Sequence, residues 1–144
     1  MPMNGFSIGR DVSLDIAGQD GRIVSFNLIT TFDAKQLTGK VTIYGLDGII
    51  RFLEIPEGWD GTIGITRGDR ALDDFIASLE EKYFAGENVV GQQITETINE
   101  PNGGISQWRY EGVMFKLDDS GSWKGNGDVQ QKLSWCASRK RRVV

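Results

Sequence analysis

The chain has no histidine, one cysteine and three prolines among its 144 residues. Each shortage excludes a class of chemistry. Without histidine there is no Ser-His or Cys-His nucleophile pair, no imidazole general base and no histidine metal ligand. Cys136, standing alone, forms no intrachain disulfide, zinc site or iron–sulfur centre. No apolar run approaches the roughly 20 residues of a membrane-spanning helix. The opening Met1-Pro2-Met3-Asn4-Gly5 lacks the basic start and apolar stretch of a signal peptide, so a cytoplasmic origin is expected.

What is abundant is glycine, at 19 residues, which with little proline suits the tight turns of an antiparallel β protein. A length of 144 residues predicts one domain, 1–144, with a core of its own. Charge is unevenly spread. The run Arg139-Lys140-Arg141-Arg142 holds four of the 16 basic residues, leaving residues 1–138 with 12 basic against 20 acidic, a net −8. An acidic body repels nucleic-acid phosphates. The basic tail, 139–144, has three readings: contact with an acidic protein surface, plain solvation, or a grip on nucleic acid.

Hydrophobic periodicity predicts the elements. Val12, Leu14 and Ile16 alternate in Asp11–Ile16, Gly18-Gln19-Asp20-Gly21 reads as a turn, and Arg22–Asp33 as a long strand. Lys40–Leu46 and Ile49–Ile55 form a hairpin through Asp47-Gly48; 56–61 reads as a loop before a short strand, Thr62–Thr66. Leu72, Phe75, Ile76, Leu79 and Tyr83 make one helical stripe, with Asp69 as N-cap and Gly86 as stop, for a helix over about 69–85. Strands then return over Gln92–Glu100, Ile105–Asp118 and Asp128–Ser138, the second changing side-chain parity at Gly112 as a β-bulge requires. The sum is a mainly β fold, an antiparallel barrel or sandwich of two packed sheets with one flanking helix.

No motif survives inspection as a catalytic or cofactor site. Asp73-Asp74, Glu80-Glu81 and Asp118-Asp119 are adjacent pairs whose side chains diverge, unlike carboxylates facing across a substrate. Asp118-Asp119-Ser120-Gly121 lacks the sixth-position glycine and distal glutamate of a calcium loop. Gly125-Asn126-Gly127 precedes a strand, and Gly39-Lys40 is followed by Val41, so neither cradles phosphate. Cys136 reads as a half-buried packing thiol, and the aromatics as core and interface. The expectation is no enzyme, cofactor or metal.

The element order is similar to that of the bacteriophage tail tube family and the related ring-forming Hcp subunits. The segments most like contractile-tail phage sequences are Leu53-Glu54-Ile55-Pro56-Glu57-Gly58-Trp59 and Trp123-Lys124-Gly125-Asn126-Gly127-Asp128-Val129. The resemblance implies a virion structural subunit, assembled in the host cytoplasm, forming stacked hexameric rings. The rings would make a hollow tube through which DNA passes unbound. It implies sheath and baseplate partners, Arg139, Lys140, Arg141 and Arg142 at subunit contacts, and Thr95 and Thr97 facing the lumen. The alternatives are a baseplate, tube-initiator or connector component, or an OB-like nucleic-acid-binding module.

Overall fold

The computed structural model describes residues 5–6, 11–18, 23–24, 29–68, 70–87 and 91–143. The elements are β1 (Val12–Ala17), β2 (Ile23–Val24), β3 (Ile29–Tyr44), β4 (Ile50–Thr66), α1 (Ala71–Phe84), β5 (Gln92–Asn99), β6 (Ile105–Asp119), β7 (Gln130–Ala137) and β8 (Arg139–Arg142). The fold is mainly β with one helix, as the periodicity predicts. The expected N-cap Asp69, the turn residues 19–21 and residues 22 and 25–28 of the expected second strand lie outside the described residues.

The expected two packed sheets are one bent antiparallel sheet. Its order is β2-β1-β5-β6-β7-β4-β3, with β8 also on β6, and it is not closed among the described residues. The long β6 belongs to both halves: residues 105–113 pair with β5, and residues 114–119 pair with β7. Gly112 sits at the changeover with φ +64, a conformation that costs glycine nothing. Two residues, Glu111 and Gly112, face the single Gln93 there, so the parity switch is a bulge.

The bend lets the halves share one core. Ile16 and Ile94 from one side meet Ile63, Leu133 and Trp135 from the other, with Leu72 and Phe75 of α1 against them. The alternation predicted for β7 holds, since Gln131, Leu133, Trp135 and Ala137 are buried. The helix stops at a Schellman pair, in which the Glu87 N–H donates to the Lys82 carbonyl at 3.0 Å and the Gly86 N–H to that of Tyr83 at 3.1 Å. Its stripe is shorter than predicted. Tyr83, in the last turn, is 67% exposed.

Three segments differ from the sequence reading. Residues 34–39 pair throughout, so β3 is a single strand of 16 residues. The expected loop, 56–61, is part of β4: Trp59, Asp60 and Gly61 bond β3 on one side and β7 on the other. The sheet absorbs Pro56 and Gly58 through a register shift opposite Leu37 and Thr38. The basic residues 139–142 form β8, paired in register with residues 108–111 of β6, so that β8 continues the line of β7 past Ser138.

Candidate assembly surface

The strands β3 and β4 outrun the rest of the sheet. Partner β7 covers only Trp59–Thr66 of β4, so residues from Leu37 to Gly58 form a two-stranded arm beyond the body. The register places Val41 opposite Leu53 and Ile43 opposite Arg51, and these share one face with Leu37 and Ile55. Val41 is 41% and Leu53 50% exposed. The other face carries Tyr44, Ile50 and Phe52, also exposed. A hairpin alone is marginal in water, so the arm relies on local braces. Lys40 Nζ lies 4.4 Å from the centroid of the Phe52 ring, and Thr38 donates its hydroxyl hydrogen to Glu54 at 2.8 Å. At the tip the Asp47 carboxylate pairs with Arg51 and accepts the Ile49 N–H, each at 3.0 Å, which holds its pKa below the ordinary carboxylate value.

Sequence reasoning assigns the arm no contact role, although residues 53–58 belong to a segment that resembles contractile-tail phage sequences. What the sequence carries there is apolar residues on both faces either side of Asp47-Gly48, Val41, Ile43, Leu53 and Ile55 on one and Tyr44, Ile50 and Phe52 on the other.

Inside the fold, β1 and β3 face one another across a cleft of about 570 Å³. Glu96, Tyr110 and Lys140 meet at its floor. The Tyr110 hydroxyl donates to Glu96 at 3.5 Å, and the Lys140 ammonium lies over the rings of Trp108 (4.7 Å), Trp59 (4.9 Å) and Tyr110 (5.4 Å). Burial raises the Glu96 pKa, against the attraction of Lys140 and the Tyr110 hydrogen bond. Burial, then the charge of Glu96, raises that of Tyr110. A raised carboxyl pKa means that the folded state binds the proton more readily than the unfolded one. The stability from that proton is full below the unfolded pKa and lost as pH rises through the folded pKa. Glu96→Gln, which keeps an acceptor for Tyr110, is therefore expected to raise the melting temperature of the domain at pH 7. Thermal melts should show the advantage shrinking as pH falls through the carboxylate range; a constant or growing advantage would refute the assignment.

The four basic residues expected at subunit contacts are divided by the pleat. Lys140 points into the aromatic cluster, while Arg141 turns to the other side and pairs with Glu111 at 3.1 Å. Arg139 and Arg142 are exposed. Thr95 and Thr97 lie on the face away from the core, half-buried; Thr95 is opposite Arg109, which is opposite Arg141. Cys136, expected half-buried, is exposed because it takes the parity opposite Trp135. Among the described residues no group of three or more Cys, Asp or Glu side chains is placed to hold a metal ion.

No protein-family model and no curated protein matches the chain. Solved structures do. A chain of the PVC sheath–tube complex of an extracellular contractile injection system is 16% identical, with 91% of this chain and 88% of that one covered at a TM-score of 0.63. A chain of the anti-feeding prophage tube-terminating cap is 11% identical, with 100% and 95% covered at 0.65. A chain from the tail of an empty gene transfer agent particle, solved with C6 symmetry, is 13% identical, with 96% and 100% covered at 0.60. What these chains share with this one is the fold, over nearly its whole length. The resemblance seen in the sequence is borne out at that level.

Proposed function

We propose that the chain is a structural subunit that self-assembles into stacked rings of six, forming the hollow tail tube of a phage-like particle through which DNA passes. The observation that carries this reading is the arm. About twenty residues of ribbon project from the body with Val41, Ile43, Leu53 and Ile55 uncovered. A lone chain gains nothing from such a surface, and a soluble monomer rarely keeps one. Another copy within a repeating assembly covers it. The fold, shared with chains of a sheath–tube complex, of a six-fold symmetric tail and of an anti-feeding prophage baseplate, supports the same reading and suggests sheath and baseplate proteins as further partners. The exposed arginines of β8 then meet an acidic surface of a neighbouring copy or of the sheath. The role is passive, with no reaction to catalyse.

Concentrated protein examined by negative-stain microscopy and sedimentation should show rings or tubes. A monomer that persists at high concentration would sink the proposal, and salt-dependent retention on DNA without assembly would favour a nucleic-acid-binding module.

A further inference from the structure

We propose that the face of β5, β6 and β8 turned away from the core is a docking site for an acidic segment of a second protein, whose carboxylates are gripped by Arg109 and Arg141 with Arg139 beside them. This deepens the contact given above to the β8 arginines: it adds Arg109 and the chemistry of the partner. It rests on the tube reading only for the source of that partner.

Arg109 carries the argument. It sits on a central strand, with Thr95 of β5 opposite it on one side and Arg141 of β8 on the other. Like charges directly opposed across a strand pair destabilise the sheet. Arg141 offsets its share by pairing with Glu111 at 3.1 Å. Arg109 does not: among the described residues its guanidinium meets no carboxylate and no hydrogen-bond acceptor, and its Nε is buried. A buried donor without an acceptor weakens the subunit that holds it. A local rule broken in this way marks a position where function, not folding, sets the residue.

A carboxylate answers the geometry. The planar guanidinium presents parallel N–H donors that match two carboxylate oxygens. Residues directly opposed in an antiparallel pair have Cα atoms about 5 Å apart, so Arg109 and Arg141 suit neighbouring acidic side chains of one segment. Thr95 and Gln107 border the pair with neutral hydrogen-bonding groups. A nucleic-acid backbone fits less well, because it needs cations along a track. Here Asp15 ends the row Asp15, Thr95, Arg109, Arg141, and Glu111 stands in the next. Another copy of the chain also has less to offer. Its Asp47, Asp73 and Asp74 already pair with Arg51, Arg67 and Arg70, and Glu54 and Asp118 accept from hydroxyls.

Dilute, unassembled subunit is titrated with a fluorescent hexaglutamate peptide and, in parallel, with a thymidine oligonucleotide of equal charge. The peptide should bind more tightly than the oligonucleotide, and less tightly as salt is raised. Arg109→Met keeps the apolar stem and removes the charge; it should weaken peptide binding roughly tenfold or more without lowering the melting temperature. Arg109→Lys, which keeps the charge but not the fork, should recover only part of that loss. Lys132→Gln, which removes a charge from an exposed position on β7, should change little. Unchanged binding by Arg109→Met, full binding by Arg109→Lys or an equal loss in Lys132→Gln would overturn the site. A lower melting temperature for Arg109→Met would make the arginine a folding residue and overturn it too. Tighter binding of the oligonucleotide through the same arginines would overturn the protein partner, and self-association that Arg109→Met abolishes would overturn the choice of a different protein. All these outcomes except self-association are read on the free subunit, so they stand or fall separately from the formation of tubes.

Discussion

Replacing Trp135 with alanine should cost roughly 3–5 kcal/mol of stability, the range for deleting a large aromatic from a packed core. Trp135 is 2% exposed and joins the two halves of the bent sheet. Its ring stacks on Phe32 of β3, with centroids 5.7 Å apart and planes 5° from parallel, and meets Tyr110 of β6 edge-on at 4.8 Å. Gly61 makes the room: a Cβ there would stand 2.8 Å from the Trp135 ring and 2.0 Å from the Asp33 carbonyl oxygen. A domain holds only about 5–15 kcal/mol in total, so the variant loses a large fraction of it. Calorimetry should find its melting temperature lower by roughly 10–15 °C. The indole N–H is buried with no hydrogen-bond partner among the described residues, so Trp135→Phe removes an unsatisfied donor along with some packing. It should cost clearly less than the alanine variant. Equal losses would mean that the N–H has a partner or that ring size decides nothing.

That core was largely legible in the sequence, because strands with one covered face alternate cleanly. The order Val129, Gln131, Leu133, Trp135, Ala137 predicts the buried side of β7, and Ile94 with Glu96 that of β5. Where neither face is covered, alternation loses its meaning. In the arm Val41 and Ile43 occupy one face and Tyr44, Ile50 and Phe52 the other, so the pattern marks strands without revealing that they stand clear of the body. The segment 56–61 reads as a loop because Pro56, Gly58 and Gly61 are turn residues locally. Only the partners on either side, Gln36 and Ala137 against Trp59, show that it is strand. The same holds for β8. Four consecutive cations carry no periodicity, and Lys140 is distinguished from its neighbours only by the rings of Trp59, Trp108 and Tyr110, which come from two distant strands.

The double variant Val41→Lys with Leu53→Glu should leave the monomer's stability nearly intact and abolish its assembly. The two residues are directly opposed across β3 and β4 and lie on the arm's uncovered face, outside the core cluster. Substitutions at such exposed positions usually change stability by no more than about 0.5 kcal/mol each, and opposite charges facing across a strand pair offset part of that. In an assembly the same positions must be dry. Burying the new ion pair against the apolar surface of a neighbour costs several kcal/mol of desolvation for each copy, which the attraction between the two charges only partly offsets. The melting curve of dilute protein should therefore nearly overlay that of the parent, while sedimentation at high concentration should show only the single subunit. If tubes form as readily as before, the arm is not the adhesive surface and the assembly proposal loses its main support. If the monomer itself melts far lower, the arm packs against its own body in solution, and its exposed face is not what the assembly consumes.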